Sequence, residues 1–317
     1  MSAEQRMPER PRRRRRWVVP VFVAGAVLVY VVVVLLYASS GRFATVGDQA
    51  VADPESVTVL LQPSSVNGPG ERIVMQATVS PPADLVEDEG PILASDFSVI
   101  LSPVDGEQTI ELARGTIPQS TTVSIVAPGE VEDWPFDSYH QKVAVVGLIS
   151  QDGVRMGLPT DIWINGGVPG WNFAAYIDTT TDYGTVKTAD GEIPIPVVDI
   201  TATRSGSTLA FGVVLLGLMI VMPSLVLFVA ITAFRGRRKV EASFMSWMGA
   251  MLFATIPLRT FLPGSPPIGS WIDFLIVLWV IVGLITGLAI YVAAWMRWGT
   301  PAAPRTPPEV SPPGPAP

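Results

Sequence analysis

His140 is the one histidine in the 317 residues, and it follows Asp137, Ser138 and Tyr139. Serine, histidine and aspartate make a nucleophile, a base and an orienting acid only where they converge in space. Neighbours on a strand point to opposite faces, so these three do not converge by sequence adjacency. A strand or surface histidine is expected, and no catalytic residue is assigned. With one His and no Cys, the nitrogen and sulfur donors of a zinc-type site are lacking. Glu87-Asp88-Glu89 and Glu130 with Glu132-Asp133 offer oxygen ligands, but neither has the fixed spacing of a calcium loop. Asp178 and Asp182 would be a glycosidase pair only by coincidence. No phosphate-cradling Gly-Lys loop is present. The expectation is no metal and no cofactor.

Two denser stretches carry recognition chemistry. In 132–139, Pro135 stiffens the chain, Trp134 and Phe136 offer large apolar area, and Asp137 and Tyr139 alternate into a strand. Asp-x-Tyr at a strand start resembles the tyrosine corner of immunoglobulin-like sandwiches, where the phenol bonds backbone across a turn. The other reading is a loop on the membrane-facing end that touches the outer loop of the helices. In 258–273, Pro263, Pro266 and Pro267 fix φ. Ser270 can cap the helix that follows, with Asp273 three residues on in the manner of a capping box, and Arg259 could pair with Asp273. This stretch is either a rigid hairpin or a contact surface. The candidate loop-coupling surface is Trp134, Pro135, Phe136, Asp137, Tyr139, Arg259, Pro263, Pro266, Pro267 and Asp273.

The elements that must position these residues start with four apolar segments: 17–38, 208–234, 242–261 and 272–296. About 20 apolar residues cross the hydrocarbon core. Three segments reach that length, and the third is interrupted near its end by Pro257 and Arg259. Arg and Lys in short flanking segments mark the cytoplasmic side. Arg10 with Arg12–Arg16, the run Arg235, Arg237, Arg238, Lys239, and Arg297 all agree on one topology. A basic cytoplasmic segment (1–16) precedes transmembrane helix 1 (17–38), a large extracytoplasmic domain (39–207) and transmembrane helices 2 to 4. A disordered Pro-rich cytoplasmic tail (297–317) closes the scheme. The first segment is long for a cleaved signal peptide and fits an uncleaved anchor. The expected localisation is a multi-pass protein of the cell membrane with both termini cytoplasmic, the lipid bilayer as partner and no nucleic-acid partner. The spans lack ionisable side chains at membrane depth, which argues against active transport. Gly283 and Gly287 form a GxxxG pair in the last span, which lets helices approach closely.

The outer domain carries 23 Asp and Glu against seven Lys and Arg, net −16, which repels nucleic acid and gathers cations. Without cysteine it must hold itself by burial. β-Branched runs at 57–61, 73–79, 97–101, 109–112, 122–126 and 142–148 are separated by turn residues such as Asp105-Gly106 and Asp152-Gly153. Short strands without an amphipathic helix between them predict an antiparallel β-sandwich, immunoglobulin-like or channel-ectodomain-like, with one membrane helix before and three after it. Trp163, Trp171, Phe173 and Tyr176 are expected core aromatics beyond Asp152.

On Trp-Pro-Phe-Asp-Ser-Tyr at 134–139, Arg204 before the second span, and Leu-Arg-Thr-Phe-Leu-Pro-Gly-Ser-Pro-Pro-Ile-Gly-Ser-Trp-Ile-Asp at 258–273, the chain resembles an uncharacterised actinobacterial membrane-protein family, domain of unknown function 4436. The resemblance covers roughly 17–298 and implies architecture only. More distantly, the order from Trp134 to Met296 is similar to pentameric ligand-gated ion channels: a Pro-Phe-Asp loop, an Arg before the first span, a Pro within it as at Pro223, and a Glu opening the pore helix as at Glu241. That likeness would make 242–262 a pore helix and would make Pro135, Phe136, Asp137 and 263–269 a surface coupling binding to gating. The chain departs from that family in lacking the Cys pair, in having no span after Met296, and in carrying an extra span before the outer domain. The expected function is a non-enzymatic, receptor-like or scaffold component of the cell envelope, with an envelope protein or its own copies as partner. The alternatives are a channel-like homo-oligomer and an exported hydrolase.

Overall fold

Every second residue at the start of β1 (Val57–Asn67) is buried, the period-two signature of a strand with one face on a core. The computed structural model describes residues 18–39, 54–87, 90–151 and 153–299. The basic segment 1–16, Asp88, Glu89 and Asp152 lie outside these residues, as does the tail from residue 300. The described chain forms two compact units, one ending at Leu216 and including Phe261–Phe274, the other comprising Gly217–Thr260 and the chain from Leu275.

The first unit is built on β-sheets. Besides β1 it holds β2 (Arg72–Ser80), β3 (Phe97–Ser102), β4 (Thr109–Leu112), β5 (Thr121–Val126) and β6 (Ser138–Gln151). Then follow β7 (Val154–Leu158), β8 (Thr160–Ile164), β9 (Trp171–Asp178), β10 (Thr185–Thr188), β11 (Gly191–Pro194) and β12 (Val197–Arg204). One sheet runs β5-β2-β1-β8; the other runs β4-β3-β6-β12-β9, with β7 also on β6. Their inward residues share one core, with Val59, Leu61, Ile73 and Met75 from the first sheet and Val99, Leu101, Val145 and Ile200 from the second. The architecture is β-sandwich-like, as expected, but not wholly antiparallel: β8 runs parallel to β1, Val57 opposite Thr160 through Leu61 opposite Ile164. Pro159 is the reason. It separates β7, paired with β6, from β8, paired with β1, and a residue without an N–H interrupts a ladder. The chain therefore changes sheets without turning back. The hairpin of β10 and β11 forms a separate two-stranded sheet.

Past residue 152 the expected core aromatics divide. Phe173 is buried and Trp163 and Trp171 are half-buried, but Tyr176 is 69% exposed and is no core aromatic. It opposes Asp199 across the β9–β12 ladder on the solvent face. The first unit also includes α1 (Val18–Ser39), an apolar helix whose Tyr30 and Tyr37 are exposed.

Among the described residues, two helical runs are long and apolar enough to cross a membrane: α2 (Gly206–Phe234) and the run Asp273–Trp298. The second opens on a π-type turn over Asp273–Val277 and continues as α4 (Leu278–Trp298). Exposed Phe228 on α2 and Trp279 on α4 make their outer faces apolar. α3 (Ser243–Thr260) is shorter, at 18 residues, with Pro257 and Arg259 near its end.

In the second unit the two GxxxG glycines lie on the α2–α4 contact. A Cβ added at Gly283 would stand 3.0 Å from Pro223, and one at Gly287 would stand 2.6 Å from Val226 Cγ1. Hydrogen replaces a methyl group there, and the helices close on each other. Tyr291 of α4, 1% exposed, reaches the chain ahead of α3: its hydroxyl donates to the Glu241 carbonyl at 2.9 Å and accepts from the Glu241 N–H at 3.1 Å. Replacing Gly287 by Leu should lower the unfolding free energy of the detergent-solubilised protein by about 1–3 kcal/mol through overpacking, read as a lower melting temperature. The same change at half-buried Gly249, where an added Cβ has nothing within 4 Å, is the control.

Candidate functional site: a buried charge cluster in the first unit

Arg204 ends β12, and the ladder fixes where it goes. Thr203 pairs with Ser138 and Ala202 with Tyr139, so the next position on β12 faces the residue before β6, Asp137. The guanidinium grips that carboxylate in fork geometry, Nε to Oδ1 at 2.7 Å and Nη2 to Oδ2 at 2.9 Å. Their side chains are 3% and 1% exposed. Ions this deep require pairing and further hydrogen bonds, and the neighbours supply both. Tyr139 donates its hydroxyl to Asp137 Oδ2 at 2.9 Å. Arg204 Nη1 donates to the Pro263 carbonyl at 3.1 Å. The Trp171 ring lies 4.5 Å from the guanidinium carbon and meets Tyr139 edge-on at 5.6 Å, adding a cation–π contact.

Trp134 completes the cluster. Buried to 2% exposure, it donates Nε1–H to the same Pro263 carbonyl at 2.8 Å. One carbonyl thus accepts from the 132–139 turn and from the end of β12, which brings both dense stretches of the sequence to one point. Gly264 follows at φ +74°, and a Cβ there would overlap the Arg204 guanidinium. The position therefore needs glycine for conformation and for space. The base of the domain is also tied to the first turn of α2. The Gly170 carbonyl accepts from Ser205 N–H at 2.9 Å and from Thr208 Oγ1 at 2.9 Å, and Ser205 Oγ accepts from the Thr208 N–H at 3.4 Å.

Several expected roles change. Tyr139 binds a carboxylate, and its phenol does not cross a turn to backbone, so it is not a tyrosine corner; the nearby Asp137 outcompetes a neutral carbonyl as acceptor. Phe136 points outward at 79% exposure, while Trp134 and Pro135 are buried. The capping box does not form. Asp273 Oδ2 accepts from Gly269 N–H at 2.9 Å, and Ser270 Oγ is buried without a hydrogen-bond partner; the π-type opening of the helix accompanies this shift by one residue. Pro266 is buried and Pro267 half-buried, and Arg259 lies in the last turn of α3.

Other candidates fall elsewhere. His140 Nε2 lies 2.6 Å from Asp199 Oδ1 across the ladder, half-exposed and turned away from Asp137. Asp178 Oδ1 accepts from Thr180 N–H at 2.9 Å as a turn ligand. Among the described residues, no three His, Asp or Glu side chains gather as metal ligands. The sequence marks Arg204 as the Arg before the second span that both resemblances share, but not as the partner of Asp137, and marks Trp171 only as an aromatic.

Residues 47–191 match the family described as domain of unknown function (DUF4436), which bears out that resemblance over the β-sheet region. Residues 204–298 match a second family, domain of unknown function (DUF8686); Arg204 and the 258–273 motif fall in this second match. No curated protein matches the chain.

Changing Arg204 or Asp137 to Ala should each cost about 3–5 kcal/mol of stability, because either leaves a buried charge unpaired. A double-mutant cycle should find the double variant well short of additive. Burial first, and then the hydrogen bond to Asp137, raise the Tyr139 hydroxyl well above its usual range. The folded state thus favours the neutral phenol. Its contribution is complete below the unfolded tyrosine value of about 10 and is lost as pH rises beyond it. Tyr139→Phe should flatten the fall in melting temperature above about pH 10.

Proposed function

We propose that this chain, which carries a DUF4436 domain at residues 47–191, is a non-enzymatic, receptor-like or scaffold component of the cell envelope. On this reading it crosses the bilayer four times, on α1, α2, α3 and the run through α4. Both termini are cytoplasmic and the acidic β-domain is outside. Three basic clusters, at 10–16, 235–239 and Arg297, support that orientation. The two longest apolar helices support embedding in the membrane.

The observation that carries the reading is the shared Pro263 carbonyl. It takes hydrogen bonds from Trp134 and Arg204, so any displacement of the β6 entrance or of β12 must move the loop between α3 and α4 or break a buried polar contact. Such a joint suits a protein that converts an event on its outer domain into a shift of its helices. The same joint, with the order of motifs from Pro135 to Asp273, favours a second reading as a channel-like homo-oligomer.

Amide exchange on the full chain in nanodiscs tests the first reading. Asp137→Asn should speed exchange across 261–270 and leave the centre of β1 to β3 unchanged. Unchanged exchange in that loop would remove the coupling role. For the second reading, the particle mass in mild detergent should be a multiple of the 33.9 kDa chain; a strict monomer removes it.

A further inference from the structure

Large apolar side chains stand exposed around the buried cluster, on the segments it joins. Phe136 is 79% exposed, Ile268 94%, and Trp271 and Phe261 more than half. None of these belongs to the β core. All lie on the 134–137 turn or the Phe261–Phe274 segment, which meet at Pro263.

The length of α2 sets the level at which they lie. Its 29 residues extend about 44 Å at about 1.5 Å per residue, against roughly 30 Å of hydrocarbon. Arg235, Arg237, Arg238 and Lys239 follow its end and are exposed, which fixes that end at the inner surface. About 20 residues back from Phe234 falls near Leu215, so the first two turns of α2 stand in the outer headgroup layer. Trp134 packs on those turns: a Cβ added at Gly212 would stand 3.0 Å from its ring. The 134–137 turn, closed by the Phe136 N–H to Asp133 carbonyl bond at 2.8 Å, is therefore held beside the headgroup layer. Phe211, Val213 and Val214 near the start of α2 are also exposed and apolar.

We infer that Phe136, Ile268 and Trp271 form a lipid-contacting foot, by which the β-domain rests in the outer headgroup layer. The occupant is the bilayer surface itself. Aromatic and aliphatic tips gain from this layer while the adjoining backbone stays hydrated. Exposed Glu132 and Asp133 in the same turn match a zwitterionic surface better than an anionic one. The inference rests on α2 spanning the membrane as proposed above.

The absence of cysteine allows single nitroxide labels on an otherwise native chain. Phe136→Cys, Ile268→Cys, Val154→Cys and Phe228→Cys would each be labelled in phosphatidylcholine nanodiscs, and collisions with oxygen compared with collisions with a water-soluble nickel chelate. Val154 starts β7, beyond the far end of the 14-residue β6, about 46 Å from the cluster at about 3.3 Å per residue. Phe228 lies inside α2. The expected result is oxygen-dominated collision at 136 and 268, shallower than at 228, with nickel-dominated collision at 154. If 228 is oxygen-dominated while 136 and 268 match 154, the foot is overturned and the span stands. If 228 is itself nickel-dominated, the span fails and the foot with it. Sites at 136 and 268 closed to both reagents would mean that protein, not lipid, covers them, and would also overturn the foot.

Discussion

A guanidinium taken out of water must be paid for locally, and the construction at the base of the β-domain follows from how Arg204 is satisfied. Its fork is filled by one carboxylate, its remaining edge by one carbonyl, and its face by one indole. Each partner comes from a different part of the chain: the entrance of β6, the loop after α3, and the start of β9. A hydrophobic contact among these segments would tolerate sliding. A bidentate ion pair with both partners nearly sealed from solvent does not, because a displacement of an ångström leaves a buried charge short of a hydrogen bond. The cluster therefore sets position more than it adds stability, since desolvation of the two ions consumes much of their attraction.

The rest of the domain supplies a frame stiff enough for such a joint. It has no disulfide and relies on two sheets closing over one aliphatic core. The change of sheets at Pro159 matters here. By running β7 on one sheet and β8 on the other, residues 154–164 stitch the two layers along their edges. The antiparallel pairing of β12 with both β6 and β9 then carries this stiffness to Arg204.

The alternation of β-branched residues made the strands before Asp152 readable, because each has one buried face and one solvated face. Beyond that point β7, β10 and β11 are only four or five residues long, and Gly157, Gly191 and two prolines break their pattern. The parallel strand was not readable either, since periodicity gives a strand its faces but not its partner. At the cluster, Trp134, Asp137, Tyr139 and Pro263 were legible as a dense, rigid composition. A touch between the two loops was one reading of that composition, but the bonds of Arg204 were not legible, because they depend on β12 placing it opposite Asp137, 67 positions away. Phe136 shows the limit of composition alone: Trp134 and Phe136 look alike in sequence, yet the turn between them buries one and exposes the other.

The two family matches divide the chain between residues 191 and 204, but the fold does not divide there. β12, which occupies Val197–Arg204, is the central partner of β6 and β9 and lies almost wholly in the gap. The first residue of the second match is Arg204, whose carboxylate partner lies in the first match and whose carbonyl partner lies in the second. A protein holding only the first region would leave β6 and β9 without the strand between them and Asp137 without its counter-ion. A protein holding only the second would carry a cation with no carboxylate to neutralise it at the head of an apolar helix. The physics of one side chain thus ties together, within the first unit, residues that fall in two separate matches.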